Sequence, residues 1–373
     1  MKSNPLIHLA NLRQSIWLDY IDRQILRDDT LKHLISTDHL AGLTSNPAIF
    51  EKAIAQGGAY TTAIQQLKAE GASLEAMYEQ LVLADISLAA DIFRSVYDVT
   101  NGRDGYVSIE VSPLLAHDTE ATLNEARKLW QKLARPNIMI KVPGTPEGVP
   151  AIRQLLTEGI NVNVTLLFSV GRYLEVLNAY MDALEARRAQ GLPLQNIASV
   201  ASFFLSRIDV KVDALLDAII NKDGKHLDAA RNLRGKAAIA SAGFAYRRFM
   251  ETTASPRWQA LAAAGASTQR LLWASTGTKD PAYSDVKYVD ALIAADTVNT
   301  LPLETLDAYR DHGKPVLSID QAMASAPSVL HSLVDLGIDM GAIDAVLEQE
   351  GVEKFVKPYQ SLLDTFKTVA ARS

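Results

Sequence analysis

Lys141 is the residue in this 373-residue chain whose type and setting best suit covalent chemistry. It stands near the end of an apolar run, Asn137–Val142, and Pro143 follows directly. Proline cannot donate to a sheet ladder, so we expect the strand to stop here, with the lysine at its C-terminal rim. Apolar neighbours would desolvate the amine and increase its neutral fraction, the form that attacks a carbonyl. The alternative is a lysine that extends from the strand end into solvent.

Polar side chains at the ends of other predicted strands favour the chemical interpretation. They are Asp19, Asn46, Glu110, Asn163, Thr165 and Ser202. Side chains alternate along a strand, so Asn163 and Thr165 share one face. Polar residues in such strands either point into a common opening where the strands end or lie unpaired against helices, and the second arrangement costs several kcal/mol for each residue. Each residue alone could be structural, but together around one lysine they provide what multi-step carbonyl chemistry needs.

Eight short β-type runs, separated by helical patterns, position these residues. The runs are Ser15–Asp19, Leu40–Ser45, Tyr106–Val111, Asn137–Val142, Ile160–Leu166, Ile197–Phe204, Arg270–Ser275 and Thr297–Leu301. The helical patterns are Ser73–Tyr97, Thr119–Leu133, Ser169–Arg188, Asp209–Ile220 and Leu227–Met250. This alternation predicts an α/β fold, a (β/α)8 TIM barrel. An open doubly wound sheet is the alternative, but no Gly-x-Gly-x-x-Gly follows the first strand to support its nucleotide-binding version.

The rest of the chain reads as additions to one barrel. Extra helices are expected at both termini, and Ser73–Tyr97 makes the long connection between the second and third strands helical. The segment from about 325 to 373 is predicted to form a helical cap. The loop Gly144–Gly148 is predicted to open a helix at Pro146. No Pro/Gly/Ser-rich linker divides the chain, which favours a single domain over residues 1–373.

Composition excludes several classes of function. The net charge is −6 and basic residues occur at most in pairs such as Arg187-Arg188, which argues against a nucleic-acid partner. No run of about 18 apolar residues suggests a membrane span, and Met1–Pro5 does not resemble a secretion signal. The chain has 0 cysteines, which excludes disulfides and fits a cytoplasmic location.

The 7 histidines show no paired ligand spacing, so neither a metal nor another cofactor is expected. His39, just before the second strand, is expected to lie at a helix end or on the surface. The outer helices carry no decisive apolar face, which leaves monomer and homo-oligomer open.

Several segments resemble the transaldolase family. They are Gly42–Ala48, Ser108–Val111, Ile138–Pro143, Gly159–Ser169 and Ser202–Arg207, which resemble that family's second to sixth strands. The likeness runs in the same order from about Trp17 to about Leu306. One such segment would be weak support, whereas five in order are strong.

The resemblance implies roles for the residues that match. Lys141 would attack the C2 carbonyl of a ketose phosphate and form a Schiff base. Glu110, through a water that Thr165 helps to hold, would move protons during imine formation. Asp19 would take the proton from the C4 hydroxyl and so trigger cleavage of the C3–C4 bond. Two carboxyls in different settings suit separate proton transfers.

Other matching residues are implied to bind substrate. Asn46, Asn163 and Ser202 would hold the dihydroxyacetone enamine, and Phe204 would exclude water from it. Arg207 matches the family's phosphate arginine and can donate two hydrogen bonds to the anion.

A second phosphate-binding arginine, common after the seventh strand of transaldolases, is missing here. The segment Ala274–Lys279 keeps the serine, Ser275, but has no arginine. Lys279 or backbone N–H groups around Gly277 could replace it, and the alternative is that Lys279 is an ordinary surface charge.

The function implied is a cytoplasmic transaldolase of the non-oxidative pentose phosphate pathway, a transferase acting on small sugar phosphates. It would pass a dihydroxyacetone unit from sedoheptulose 7-phosphate to glyceraldehyde 3-phosphate. One alternative is a lyase similar to fructose 6-phosphate aldolase, whose relatives are shorter and tend to have a tyrosine where Glu110 stands. Another is a non-catalytic barrel that binds sugar phosphates, although such a barrel would be expected to lose Lys141 or its partners.

Overall fold

Eight parallel strands close into a barrel in the computed structural model, which describes residues 4–56, 58–222 and 224–371. The strands are β1 (Gln14–Asp19), β2 (Gly42–Thr44), β3 (Tyr106–Glu110), β4 (Ile138–Pro143), β5 (Val162–Leu167), β6 (Ser199–Phe204), β7 (Arg270–Ala274) and β8 (Thr297–Leu301). Each strand pairs with the next in sequence, and β8 pairs with β1. The predicted (β/α)8 TIM barrel is confirmed, and the open sheet is excluded.

Helices alternate with the strands and cover the outside of the barrel. In chain order they are α1 (Pro5–Asn11), α2 (Arg23–Arg27), α3 (Thr30–Asp38), α4 (Pro47–Gln56), α5 (Thr61–Ala69), α6 (Leu74–Val99), α7 (Thr119–Leu133), α8 (Gly148–Glu158), α9 (Val170–Ala189), α10 (Ser206–Ile220), α11 (Leu227–Leu233), α12 (Ala237–Thr253), α13 (Pro256–Ala263), α14 (Lys287–Ala291), α15 (Leu303–His312), α16 (Ile319–Asp335) and α17 (Met340–Ala371). The connection between β2 and β3 is helical, as predicted. Within the described residues, no helix combines the length and apolarity needed to cross a membrane.

Capping side chains explain why several helices begin where the sequence predicts. The side-chain oxygens of Ser73, Asp118 and Ser169 accept hydrogen bonds from backbone N–H groups three residues later, at 3.2, 2.9 and 3.0 Å. Each bond satisfies a donor that the first turn of a helix leaves free. At the other end of a helix, His39 follows α3 with a left-handed φ of 54°, so its predicted helix-end position is confirmed.

Two predicted helix boundaries are wrong. The helix predicted over Leu227–Met250 is broken between α11 and α12, where Gly235 has a φ of +68°. Its N–H donates to Asp213 Oδ1 at 2.8 Å, which fixes the break. The helix expected to open at Pro146 begins instead at Gly148, whose N–H donates to Thr145 Oγ1 at 3.0 Å.

A buried polar network fills the amino end of the barrel. Arg270 on β7 donates to Asp104 Oδ1 and to Ser15 Oγ, both at 2.8 Å. Trp17 Nε1 donates to the same carboxylate at 3.2 Å. A Cβ on Gly42 would stand 2.6 Å from the Trp17 ring, so only glycine lets the indole fill the interior. These groups form a floor, so the space for a ligand lies at the carboxyl end, where the active sites of such barrels lie.

Helix α17 crosses the carboxyl end of the barrel. It packs on α4 and α10, which follow strands on opposite sides of the mouth, and on β5. Gly351 permits the close approach, because a Cβ there would stand only 3.1 Å from Leu166 and 3.2 Å from Phe168. The other helix of the predicted C-terminal cap, α16, packs along α12 on the side of the barrel. Within that segment, therefore, it is α17 that covers the mouth.

Candidate active site

A cavity of about 140 Å³ opens at the carboxyl end of the barrel. Its wall consists of Asp19, Thr44, Asn46, Lys141, Thr165, Ser202, Phe204, Arg207, Ala274, Ser275, Gly277, Lys279, Thr300, Pro302 and Phe355. The site residues predicted from the sequence are all in this wall except Glu110 and Asn163. Glu110 lies beside Lys141 and Asn163 beside Ser202. The fold thus brings together residues that are far apart in the sequence.

Lys141 points into the barrel. Strand β4 continues through Pro143, because the ladder pairs that residue with Thr165, so the expectation that the strand stops before the proline is wrong by one residue. The lysine is only 5% exposed, which excludes the alternative of a side chain extended into solvent. Its Nζ donates to the carbonyl oxygen of Ser45 at 2.9 Å. The amine is therefore held in one place at the base of the cavity.

Glu110 is the carboxyl group nearest to the lysine amine. The two residues are partners across the β3–β4 ladder, and Glu110 Oε2 lies 3.8 Å from Lys141 Nζ. Neither carboxyl oxygen has a hydrogen-bond partner in the described part of the chain. Burial raises the pKa of Glu110 to about 7, although the charge of Lys141 acts in the opposite direction. Glu110 can therefore both give and take a proton near neutral pH.

The buried hydroxyl of Thr165 likewise has no protein partner among the described residues. Thr165 lies on β5, and Asn163, two residues earlier on the same face, is the ladder partner of Lys141. Together with the carboxyl of Glu110, this hydroxyl supplies acceptors and a donor that could hold a water molecule.

Asp19 is a second carboxyl with a different environment. Its Oδ1 accepts a hydrogen bond from Thr44 Oγ1 at 2.7 Å, and Thr44 is 2.8 Å from the hydroxyl of Thr300. Burial raises the pKa of Asp19 above its ordinary range, while the charge of Lys141 and the bond from Thr44 lower it. Unlike Glu110, Asp19 thus has a hydrogen-bond donor that orients it. The two carboxyls can perform different proton transfers because their surroundings differ.

A chain of hydrogen bonds orients the amide of Asn163. Ser202 Oγ donates to Asn163 Oδ1 at 2.7 Å, and the amide nitrogen donates to Ser108 Oγ at 3.1 Å. Asn46 is fixed by a different contact, since its Oδ1 accepts the N–H of Ile49 at 3.1 Å and begins α4. The polar groups around the lysine therefore have defined orientations before a substrate binds, which is what precise positioning requires.

The cationic end of the cavity is formed by Arg207, in the first turn of α10. Its guanidinium carbon lies 5.2 Å from the centre of the Phe204 ring and 5.8 Å from that of Phe355. One guanidinium nitrogen, Nη1, is buried without a hydrogen-bond partner in the described residues. An arginine at a helix N-terminus with a free donor is well suited to bind a phosphate.

The segment after β7 forms the remaining wall. Ser275 has a left-handed φ of 56°, and its hydroxyl is 2.7 Å from that of Ser206. Lys279 is exposed and its amine folds back over Gly277, 3.6 Å from where a Cβ would stand. A second positive charge therefore borders the cavity at the position where the sequence lacks an arginine.

Several residues of the site were not predicted from the sequence, and four of them have contacts that explain their place in it. Thr44 and Thr300 orient Asp19, and Ser206 contacts Ser275. Thr44 could have been found, because it lies opposite Asp19 in the β1–β2 register and within the segment Gly42–Ala48. Phe355 carries no such signal, since it is one of many apolar residues on a long helix.

Comparison with known proteins agrees with this geometry. The family model described as transaldolase/fructose-6-phosphate aldolase matches residues 16–366. A protein named transaldolase 2 from Nostoc sp. (strain PCC 7120) is 48% identical over 372 residues, covering 98% of each chain. A transaldolase from Trichodesmium erythraeum is 48% identical over 373 residues, again with 98% of each chain covered. A transaldolase from Saccharopolyspora erythraea is 48% identical over 362 residues, 96% of each chain.

Proposed function

The chain belongs to the transaldolase/fructose-6-phosphate aldolase family, and on this premise we propose that Lys141 forms the Schiff base of a transaldolase reaction. The enzyme is a transferase that moves a dihydroxyacetone unit from sedoheptulose 7-phosphate to glyceraldehyde 3-phosphate. The products are erythrose 4-phosphate and fructose 6-phosphate. The observation that carries the proposal is the buried amine of Lys141, 3.8 Å from a carboxyl whose pKa is raised to about 7.

Imine formation requires protons to move at the C2 oxygen of the ketose. The amine of Lys141 adds to the C2 carbonyl, and the resulting carbinolamine must lose water. Glu110, whose pKa burial raises to about 7, can protonate the departing hydroxyl through a water held together with Thr165. The same groups acting in reverse hydrolyse the imine when the product ketose leaves.

Cleavage then requires a base at the C4 hydroxyl. Asp19 is held by Thr44 in the cavity wall. When Asp19 removes the proton of the C4 hydroxyl, the C4–O group becomes a carbonyl and the C3–C4 bond breaks. The electrons flow to the imine nitrogen and leave an enamine on Lys141. Asn46, Asn163 and Ser202 are placed to bind the hydroxyls of that three-carbon unit. When the acceptor aldose arrives, Asp19 returns its proton to the new C4 oxygen.

Phosphate recognition is assigned to Arg207, with Lys279 as the second cation at the mouth. The free donor of Arg207 and the position of both groups in the cavity wall support this assignment. The two charges are on different segments, α10 and the loop after β7, so the phosphate would be held from two sides.

The composition supports a cytoplasmic location, because a chain with 0 cysteines forms no disulfides and so does not depend on an oxidising compartment. Cell fractionation with detection of the protein tests this point. Finding the protein in an exported fraction would contradict it.

Borohydride reduction tests the covalent step. Incubation with fructose 6-phosphate and borohydride should add a dihydroxyacetone-derived mass to the peptide that contains Lys141. Lys141→Arg should fold but lose trapping, while Lys132→Arg, which changes an exposed lysine on α7, should trap normally. Normal turnover by Lys141→Arg would refute the mechanism.

A second measurement separates transferase from lyase. With erythrose 4-phosphate present, a transaldolase forms sedoheptulose 7-phosphate, whereas an aldolase releases free dihydroxyacetone. Trapping without transfer would favour the lyase, and absence of trapping would favour a barrel that only binds sugar phosphates.

A further inference from the structure

Phe355 is the residue that α17 contributes to the cavity wall, as far as the structure describes the chain. The side chain is buried, with 4% exposure. Its ring centre lies 5.8 Å from Lys141 Nζ and also 5.8 Å from the guanidinium carbon of Arg207. One apolar ring therefore adjoins both the amine that carries the substrate carbon and the cation that binds phosphate.

Contacts on both sides of Phe355 fix the position of its ring. One turn later on α17, Tyr359 packs edge-on against Tyr78 of α6 with ring centres 5.5 Å apart. Further along, Phe366 contacts the same Tyr78 ring at 6.4 Å. One turn earlier, Gly351 lies close against the end of β5, where a Cβ would stand 3.1 Å from Leu166 and would require its neighbours to shift. Edge-to-face aromatic pairs of this kind favour one geometry over others.

Ion pairs hold the same part of α17 on the opposite side of the mouth. Lys211 of α10 contacts Glu350 at 2.6 Å, and Arg172 of α9 contacts Glu348 at 3.5 Å. Both pairs are partly exposed, so each contributes little to stability. They nevertheless fix the register of the helix that bears Phe355. The ring is thus a fixed part of the wall.

The reaction offers the enamine on Lys141 two outcomes. In transfer, the nucleophilic carbon attacks the aldehyde carbon of an aldose, a C–C bond forms, and the aldehyde oxygen takes a proton. In hydrolysis, the same carbon takes a proton, water adds to the resulting iminium carbon, and the C–N bond breaks. Free dihydroxyacetone and the free amine are then released. Which outcome prevails depends on the access of water beside the amine.

We propose that Phe355 determines this choice by excluding any further water, beyond the one held by Glu110 and Thr165, from its side of the Schiff base, so that the enamine carbon is not protonated before an aldose binds. The inference rests on the proposed transaldolase function. Phe204 forms part of the same wall, and its ring contacts that of Phe168 with centres 5.3 Å apart. Phe204 belongs to β6, whereas Phe355 belongs to α17, so two separate elements contribute the apolar part of the wall.

The test compares product partition in matched variants. Phe355→Leu removes the ring face and leaves space beside the amine, while Phe355→Met fills more of that space and protects the fold. Phe366→Leu makes the same change on the same helix, at a fully buried position that contacts Tyr78 away from the cavity. Each variant is assayed for free dihydroxyacetone released and for sedoheptulose 7-phosphate formed from fructose 6-phosphate and erythrose 4-phosphate. Borohydride trapping verifies that Lys141 still reacts.

The expected result is a ratio of release to transfer that rises in the order wild type, Met variant, Leu variant. For Phe355→Leu the rise should be on the order of tenfold, which corresponds to a relative change of about 1.4 kcal/mol between the two barriers. Loss of the ring beside Arg207 should also raise KM for the phosphorylated substrates about threefold. Phe366→Leu should keep the wild-type ratio even if it lowers the melting temperature.

Two outcomes would overturn the inference. One is a folded Phe355 variant that keeps the wild-type ratio, and the other is an equal rise in Phe366→Leu, which would make the effect one of helix docking. Failure of the wild-type protein to transfer at all would instead contradict the proposed function. The two failures are therefore distinguishable.

Discussion

Replacing Glu110 by glutamine should change how the stability of this enzyme depends on pH. Glutamine keeps the size and shape of the side chain but does not titrate. Burial raises the pKa of the Glu110 carboxyl from 4.5 to about 7, so the folded protein binds this proton more tightly than the unfolded chain does. The stability associated with that proton is fully present below pH 4.5 and is lost as the pH rises through 7.

The size of the effect follows from the two pKa values. The interval from 4.5 to about 7, at about 1.4 kcal/mol per pH unit, gives about 3.5 kcal/mol in total, of which about 3 kcal/mol falls between pH 4.5 and pH 8. The favourable effect of Lys141, 3.8 Å away, is already contained in the raised value. The free energy of unfolding of Glu110→Gln, relative to wild type, should therefore increase by about 3 kcal/mol between pH 4.5 and pH 8.

Urea unfolding at the two pH values measures this difference. Glu120→Gln, on the exposed surface of α7, is the matched control and should differ from wild type equally at both pH values. If Glu110→Gln shows the same lack of pH dependence as this control, the carboxyl does not titrate as its burial requires. Its role as a proton donor near neutral pH would then lose its basis.

Three further substitutions test the separate roles of residues in the site. Asp19→Asn should still be trapped by borohydride, because imine formation does not need this base, but release of the aldose product in single turnover should fall about 10²- to 10⁴-fold; equal loss of trapping and cleavage would contradict separate roles. Arg207→Lys should raise KM for phosphorylated substrates about tenfold, because the bidentate contact is lost, and Lys279→Ala should raise it less. A larger rise in Lys279→Ala than in Arg207→Lys would reverse the assignment of the main phosphate-binding residue.

The strands and the residues at their ends could be predicted from the sequence because both depend on the order of apolar and polar residues within short segments. Apolar runs that end in polar residues specify strand ends, and the closed parallel sheet then brings those ends together. Lys141, Glu110 and Asn163 are neighbours across adjacent strands for that reason alone. The pattern of short apolar runs therefore contains most of the geometry around the amine.

The parts that could not be predicted depend on contacts between distant segments. The break at Gly235 depends on the carboxylate of Asp213, which belongs to α10 rather than to the adjoining helices α11 and α12. Phe355 reaches the cavity only because α17 returns across the mouth, and helical periodicity does not reveal which barrel residues a helix covers. The inclusion of Pro143 in β4, one residue beyond the predicted run, likewise comes from its pairing with Thr165, so a ladder partner outweighed the local effect of proline.

The polar floor of the barrel has a consequence for the order of events. Arg270 and Asp104 fill the lower end, so both aldoses reach the amine from the carboxyl end of the barrel, where the cavity opens beneath α17. The first aldose must therefore depart by the route that its successor uses to arrive. Because the leaving product and the incoming acceptor would occupy the same cavity of about 140 Å³ beside one amine, the product leaves before the acceptor binds, and half of the reaction is complete before the other half begins. The alternation of the two aldoses therefore follows from the shape of the barrel as well as from the covalent bond to the lysine.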